Sequence, residues 1–369
     1  MEDVDFLVIG GGIAGLSAAA RLARHGSVVV CEAESAPGIH ASGRSAAFAH
    51  FDMDEPIVRA LTAASMPHFE VPGARPHPAL FIAFEGHKAA LERLEANYRA
   101  WAPGVVRLTA EDAHAMVPVL KTGPGGMIGA LLDPDGRKLD AHAMLEGHRR
   151  MLREFGSVVA LDAPVTALRR NGDRWIVETG SVRYSTRVVV NAAGAWVDQV
   201  AALAGIAPIG IQPLRRTVIT FDAPKEFDVS AWPFTKTVGA GFYIEPEGRG
   251  RLLGCPMDEI PADPGDAQPE EEDVALAAWR VEEGTTLQIR RIASKWAGLR
   301  SFAPDRRPVA GFDPAAEGFF WLAGQGGFGL QTSPALAMAT EALACGLPWP
   351  DQLRAVGVDP EALSPRRLR

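Results

Sequence analysis

Six residues near the start of the chain, Gly10-Gly11-Gly12-Ile13-Ala14-Gly15, have the spacing GxGxxG, and an acidic residue, Glu32, lies twenty-two positions after Gly10. This is chemistry for a dinucleotide. Gly10 permits a tight turn, Gly12 lets a pyrophosphate approach the backbone, and Gly15 lets a helix pack closely on a strand. The start of that helix offers unpaired N–H groups and a positive dipole end to phosphates. A carboxylate at Glu32 would accept hydrogen bonds from ribose hydroxyls and repel a 2′-phosphate. A second glycine cluster, Gly324, Gly326, Gly327 and Gly329, precedes a helical pattern from about Gln331. It presents another helix N-terminus to something negative, such as the N1–C2 carbonyl edge of a reduced flavin. The plain alternative is a terminal helix that follows a flexible turn.

The elements that must carry these residues are readable from the apolar rhythm. A β-branched run from Phe6 to Ile9 meets Gly10, a helical pattern follows from Ile13 to Arg24, Gly26 ends it, and SVVVCE is a second strand. The same plan of strand, glycine turn and helix returns at 187–204 and 318–345, so one sheet assembled from discontinuous segments is expected. NAD and FAD both use such a unit. A nicotinamide domain is complete within about 150 residues, whereas these glycine turns run from one end of the chain to the other, which suits a long FAD. Residues 50–136 and 210–300 mix helical runs with short strands (ALFIAF, RRTVITF, FYIEP, RLLGCP), and read as a second domain made of two insertions. The acidic, proline-rich stretch EIPADPGDAQPEEED reads as a solvated loop.

Composition narrows the partners. The 369 residues are 47% hydrophobic and 22% charged with a net charge of −8 and no basic block, which argues for a globular chain and against nucleic acid. Cys31, Cys255 and Cys345 are far apart, without CxxC spacing, so neither a disulfide framework nor a zinc site is expected. Acidic residues before the first apolar run speak against a secretory signal, and no run reaches the roughly 18 apolar residues of a membrane helix. The expectation is a cytoplasmic protein with peripheral membrane contact at most. GxSxG and HExxH are absent, so acyl transfer and metal hydrolysis have no support and no metal is expected.

The motifs DFLVIGGGIAG, GRSAA, RALTAAS, VVNAAGAW, WAGLRSF, EGFFWLAGQGGFGLQTS and LSPRRL occur in this order along essentially the whole chain. In them the chain resembles the D-amino-acid oxidase superfamily of flavoproteins, glycine and sarcosine oxidases among them, and within it the bacterial D-arginine dehydrogenases. The resemblance implies an α/β fold. A Rossmann-like FAD-binding domain of the glutathione-reductase type would take residues 1–75, 137–209 and 299–369, and a mixed-sheet α+β substrate domain residues 76–136 and 210–298. It implies non-covalent FAD held by Gly10, Gly12, Ile13, Ala14, Gly15, Glu32 and Ala33, with Ser42, Arg44, Ser45 and Ala46 lining the flavin. Val165 would contact the adenine side, Ala193, Gly194 and Trp196 would follow, and Arg300 with Gly326, Gly327, Phe328, Gly329, Leu330 and Gln331 would lie near the ring. Arg216, Tyr243 and Arg300 would clamp a substrate carboxylate.

Those roles make chemical sense for the residue types. A small substrate is positioned for hydride transfer only if its carboxylate is held at two points, and a guanidinium fork does this better than an ammonium. Arg-Arg pairs occur six times in the chain, so Arg216 carries little weight without the resemblance, and Tyr243 would pass equally for a core tyrosine. Hydride loss to form an imine requires a neutral amine. His50 is the nearest candidate base, although a loop histidine is more often solvated.

The resemblance breaks after GRSAA. D-arginine dehydrogenases carry histidine and tyrosine there and a glutamate in the next strand that receives the guanidinium; this chain has Phe48, Phe51 and Met53, and Leu80 opposite the glutamate. A pocket of Phe48, Phe51, Met53, Leu80 and Phe328, with Gly327 and Gln331 beside it, would favour apolar or small side chains, since a buried cation without a partner is strongly penalised. Asp52 is the foremost candidate to replace the lost carboxylate from a different position. The first reading is a D-amino-acid dehydrogenase yielding a 2-oxo acid and ammonia, with the electron acceptor open between a quinone, another carrier and oxygen. An oxidase of glycine, sarcosine or other N-alkyl or cyclic amino acids, a 2-hydroxy acid dehydrogenase, and a non-catalytic flavin sensor remain as alternatives.

Overall fold

The strand Glu2–Ile9 runs through the middle of an eight-stranded sheet because its residues bury on both faces: Phe6 and Val8 join one apolar layer, Val4, Leu7 and Ile9 the other. Such a strand needs helices or a hairpin on each side. In the computed structural model, which describes residues 1–69, 73–180, 182–248 and 250–369, the helices Ile13–Leu22 and Gly329–Ala344 cover the first face. The antiparallel hairpin Val165–Asn171 and Arg174–Thr179 contributes Leu168, Trp175 and Val177 to the second.

The three strand–glycine–helix units meet in this sheet. Glu2–Ile9 pairs in parallel with Val28–Cys31 on one side and Arg183–Asn191 on the other, and Val189–Asn191 pairs in parallel with Phe319–Trp321. All three glycine turns therefore leave the same edge of one sheet, as the repeated pattern predicts, and helix starts gather where parallel strands end.

A nine-stranded mixed sheet draws on residues 79–133 and 212–302, and a three-stranded ribbon, Phe48–Ala49, Arg137–Leu139 and Ala74–Pro76, lies between the segments of the two. Strand alternation divides the large sheet cleanly. Leu80, Ile82, Ile219 and Ile244 pack under the helices Ala110–Met116 and Glu271–Gly284. Ala79, Phe81, Val218 and Tyr243 face Phe48 and Phe51 on the opposite side. The same alternation separates two neighbouring arginines: Arg215 turns to Asp273, 3.0 Å from Nε, while Arg216 turns to the other face.

Two expectations are corrected here. Leu80 is fully buried on the helix-covered face, so it is core and not pocket. The acidic stretch from Glu259 is no free loop: Ile260–Pro261 adds to the strand Gln212–Asp222, the carbonyl of Ala267 accepts from Arg44 at 2.8 Å, and residues from Glu271 form a helix. Glu259, Asp266, Glu270 and Asp273 pair with arginines and Glu271 with Lys295. Among the described residues no helix is long and apolar enough to cross a membrane.

Candidate active site

One cavity of about 1150 Å³ is lined from both sheets. It exceeds the roughly 300–1,000 Å³ of a small-ligand pocket, as an extended dinucleotide requires. One end is built from backbone and absent side chains. Gly10 has φ of +109°, and a Cβ there would fall 2.5 Å from the carbonyl oxygen of Ala192; a Cβ on Gly15 would fall 1.9 Å from that of Gly10. Gly15 does not reach the cavity, so its part is the close helix–strand approach alone.

Gly12, Ile13 and Ala14 line the cavity at the start of a helix that has no cap of its own at Gly12; Ser42 Oγ takes the Ile13 N–H at 3.0 Å. Glu32 lies alongside, its carboxylate accepting from the N–H groups of Gly11 and Glu34. Ala33, Ser45, Ala46, Val165, Ala193, Gly194 and Trp196 complete this end. Two buried polar atoms of cavity-lining residues, His40 Nδ1 and Gln325 Nε2, have no partner among the described residues. A helix start without a cap of its own, a glycine cradle and two orphaned polar atoms fit a phosphate-bearing, hydrogen-bonding group such as FAD.

Arg44, expected to line the flavin, lines the cavity with its donors already taken. Its guanidinium donates to the carbonyls of Ile39, Ala267 and Ala297 and pairs with Asp266, so it lines the cavity while stapling the 259–267 segment across its rim.

At the other end Arg216, Tyr243 and Arg300 are brought together, as expected from their strands: Gly298, two residues before Arg300, is opposite Arg216, and Tyr243 is opposite Cys255. Gly327 is small for their sake, since a Cβ there would sit 2.0 Å from Arg300 Nε. Burial and the neighbouring Arg216 pull the Arg300 pKa down to about 9, against the opposing effect of Glu259, so it is still the cation at neutral pH. Burial likewise raises the Tyr243 phenol well above its usual value, keeping it a neutral donor.

Phe48, Met53, Phe328, Leu330 and Gln331 also reach the cavity, with Gly326 and Gly329 beside them. Phe51 does not; it packs against Tyr98 in the aromatic layer behind, so it is corrected from pocket wall to support. Gln331 Nε2 donates to the His50 carbonyl at 3.1 Å and to Thr62 at 2.7 Å, holding the FAHFDM segment from below.

His50 lines the cavity, but as a poor base. Burial, with Lys236 and Arg300 against Asp52, lowers its pKa to about 4. Its Nδ1 accepts the Asp52 N–H at 3.0 Å, which leaves the proton of the neutral ring on Nε2. Asp52 is no free receptor for a cation either, because Lys236 already pairs with it.

Sequence reasoning missed several lining residues: Val218, Phe234, Lys236, Met257, Glu259 and Arg306. Glu259 lay hidden at the head of an acidic run and Arg306 within one of six Arg-Arg pairs. One signal exists only in three dimensions. Of the four non-glycine residues at positive φ among the described residues, Ala47, Met257 and Arg306 line this cavity, and strained backbone gathers at functional sites.

A family model described as FAD dependent oxidoreductase matches residues 5–343. The chain is 27% identical to glycine oxidase from Pseudomonas putida over 354 residues, covering 89% of this chain and 91% of that protein. It is 26% identical over 301 residues to bovine FAD-dependent oxidoreductase domain-containing protein 1, covering 72% of this chain and only 61% of the relative. Among solved structures, L-proline dehydrogenase from P. horikoshii superposes with a TM-score of 0.85 at 21% identity, covering 99% of this chain and 98% of that one. These relatives support the flavoprotein family and stop short of its D-arginine branch.

Proposed function

The chain belongs to the FAD-dependent oxidoreductase family, with FAD as its cofactor, and from that premise we propose that it oxidises a small or apolar amino acid at the carbon bearing the amine. The observation that carries this reading is the convergence of Arg216, Tyr243 and Arg300 on the cavity that also holds the Gly326–Gly329 turn. When bound, without a covalent link, FAD supplies an acceptor for the hydride leaving Cα.

The chain's own residues orient the substrate. Two guanidiniums and a phenol hydroxyl fix a carboxylate, which leaves one rotation about the Cα–carboxylate bond to be set by the side chain. Phe48, Phe234, Met53, Val218 and Phe328 form an apolar wall that offers nothing to a cationic head, and Lys236 cancels Asp52. Among the described residues no side chain is placed as a base: the His50 lone pair is committed. The amine therefore gives its proton to water before oxidation, and the imine is hydrolysed to a 2-oxo acid and ammonia.

D-amino acids with apolar side chains are the first substrate class. Glycine, N-alkyl glycines and cyclic secondary amines are the second, and the similarity to glycine oxidase favours the first of these. The domain boundaries at residues 75, 136, 209 and 298 belong to this proposal, with the nine-stranded sheet as the substrate-facing part. The test is anaerobic: the yellow protein is mixed with D-leucine, D-methionine, D-phenylalanine, D-arginine, sarcosine, L-proline and 2-hydroxy acids, and bleaching is followed. Faster reduction by D-arginine than by D-leucine would overturn the apolar pocket, and reduction by hydroxy acids alone would overturn amine oxidation. Reoxidation in air then separates an oxidase from a dehydrogenase.

A further inference from the structure

The carboxylate clamp already holds a carboxylate of the chain's own. Glu259 Oε1 lies 2.5 Å from Arg300 Nη1 and 3.4 Å from Arg216 Nη2. Arg306 Nη2 reaches the same carboxylate from the other side, 3.0 Å from Oε1 and 2.9 Å from Oε2. The three arginines differ in depth. Arg216 and Arg300 side chains are 16% and 15% exposed, Arg306 46%, and Glu259 lies between at 32%. Glu259 thus bridges an inner pair and an outer arginine at the mouth.

Its neighbours fix this arrangement. Arg216 Nε is held by the Asp258 carbonyl at 2.5 Å and lies 3.6 Å from Asp258 Oδ1, and the same carboxylate takes the Thr217 N–H, so Asp258 anchors Arg216 and its strand from behind while Glu259 faces Arg300 as well. Ile260 and Pro261 pair with Arg215 and Leu214, tethering the chain just beyond Glu259. Arg306 and Met257, both at positive φ, stand on either side. Arg306 also stacks on Phe302, 3.9 Å from its ring centre, so it stays in place with or without Glu259.

We propose that Glu259 is the resident occupant of the clamp, displaced onto Arg306 when a substrate carboxylate arrives, and that this exchange sets how tightly carboxylates bind. The inference rests on the proposed carboxylate-binding role of Arg216 and Arg300. A substrate carboxylate cannot share Arg300 with Glu259 without like-charge repulsion at close range, so one must leave. Arg306 gives the displaced carboxylate a partner that is nearer to solvent and already in contact. A purely structural Glu259 would orient the arginines, and its loss would weaken binding. A resident competitor gives the opposite sign, and it makes Arg306 an aid to substrate although Arg306 is the outermost of the three.

The test is binding rather than turnover. Acetate and benzoate are titrated into FAD-loaded wild type, E259Q, R306M and the double variant at constant ionic strength, following the flavin absorbance, with flavin content and melting temperature confirming the fold. E259Q is expected to bind both anions about tenfold more tightly, the scale of one partly exposed ion pair. R306M is expected to bind them several-fold more weakly, because Glu259 then has only the inner pair, and the double variant is expected to follow E259Q. Weaker or unchanged binding in E259Q, or an R306M defect that persists in the double variant, overturns the displacement. If no carboxylate perturbs wild type or E259Q, or if R300M, titrated alongside them, binds carboxylates as tightly as wild type, the clamp reading itself fails, and the displacement with it.

Discussion

The two ends of the cavity are built on opposite principles. Where the dinucleotide would lie, the protein supplies holes and backbone: Gly10 and Gly12, a helix start without a cap of its own, and the carboxylates of Glu32 and Glu34. Where the substrate would lie, it supplies charge, and nearly all of that charge is paired internally: Arg216 and Arg300 with Glu259, Lys236 with Asp52. A site made of backbone binds by shape and tolerates no added atom. A site made of ion pairs binds by exchange, so each substitution also changes the partner left behind.

The largest effect is expected at the backbone end. Apart from Ser42 Oγ, 3.3 Å away, a Cβ on Gly12 meets no protein atom within 4 Å, so Gly12→Val should fold. The branched side chain would occupy the place where a pyrophosphate must approach. The purified variant should be colourless, with apoprotein melting near that of wild type. Stoichiometric yellow flavin in Gly12→Val would break the contrast between the two ends.

The next effect is smaller and of a different kind. Arg300→Met should retain flavin and lose kcat/KM by about a hundredfold to a thousandfold, since removing one partner of a buried charge pair costs about 3–5 kcal/mol and part of that loss is offset as Glu259 turns to Arg306. Steady-state kinetics on the best amino acid from the reduction panel measures it. Loss of flavin in this variant would mean that the two ends are not separable.

The contrast also explains what could be read from the sequence. GxGxxG, Glu32 and the glycine run at 324–329 are local, because backbone geometry is encoded by residues next to one another, and the sheet that carries them was legible for the same reason. The clamp residues Arg216, Tyr243 and Arg300 were named only through resemblance, since each comes from a different strand and nothing nearby marks it. Glu259 and Lys236 were invisible: their meaning lies in partners 41 and 184 residues away. Leu80 and Phe51 failed by one step of strand alternation and one layer of packing, which a short apolar run does not specify. Arg44 was expected to line the flavin through resemblance; it lines the cavity, and the acceptors that hold it come from residues 39, 266, 267 and 297, which nothing near it in the sequence marks.

The smallest effect concerns pH, and one histidine of the charged end contributes to it. His50 is held neutral there, its pKa lowered from 6.5 to about 4 chiefly by burial. The unfolded chain binds this proton more readily than the folded one between those two values, so the stability that His50 contributes is present above pH 6.5 and is lost as pH falls toward 4. His77 and His148 carry shifts of the same sign and add to the loss. Each accounts for at most a few kcal/mol, at about 1.4 kcal/mol per unit. The melting temperature of wild type should therefore fall between pH 6.5 and 4, and His50→Gln should flatten part of that fall while leaving the flavin spectrum at pH 7.5 unchanged. An unaltered acid slope in His50→Gln would place the titrating groups elsewhere. A kcat limb near pH 6.5 that disappears in His50→Gln would restore His50 as the base, and with it a substrate end that moves protons as well as holding charge.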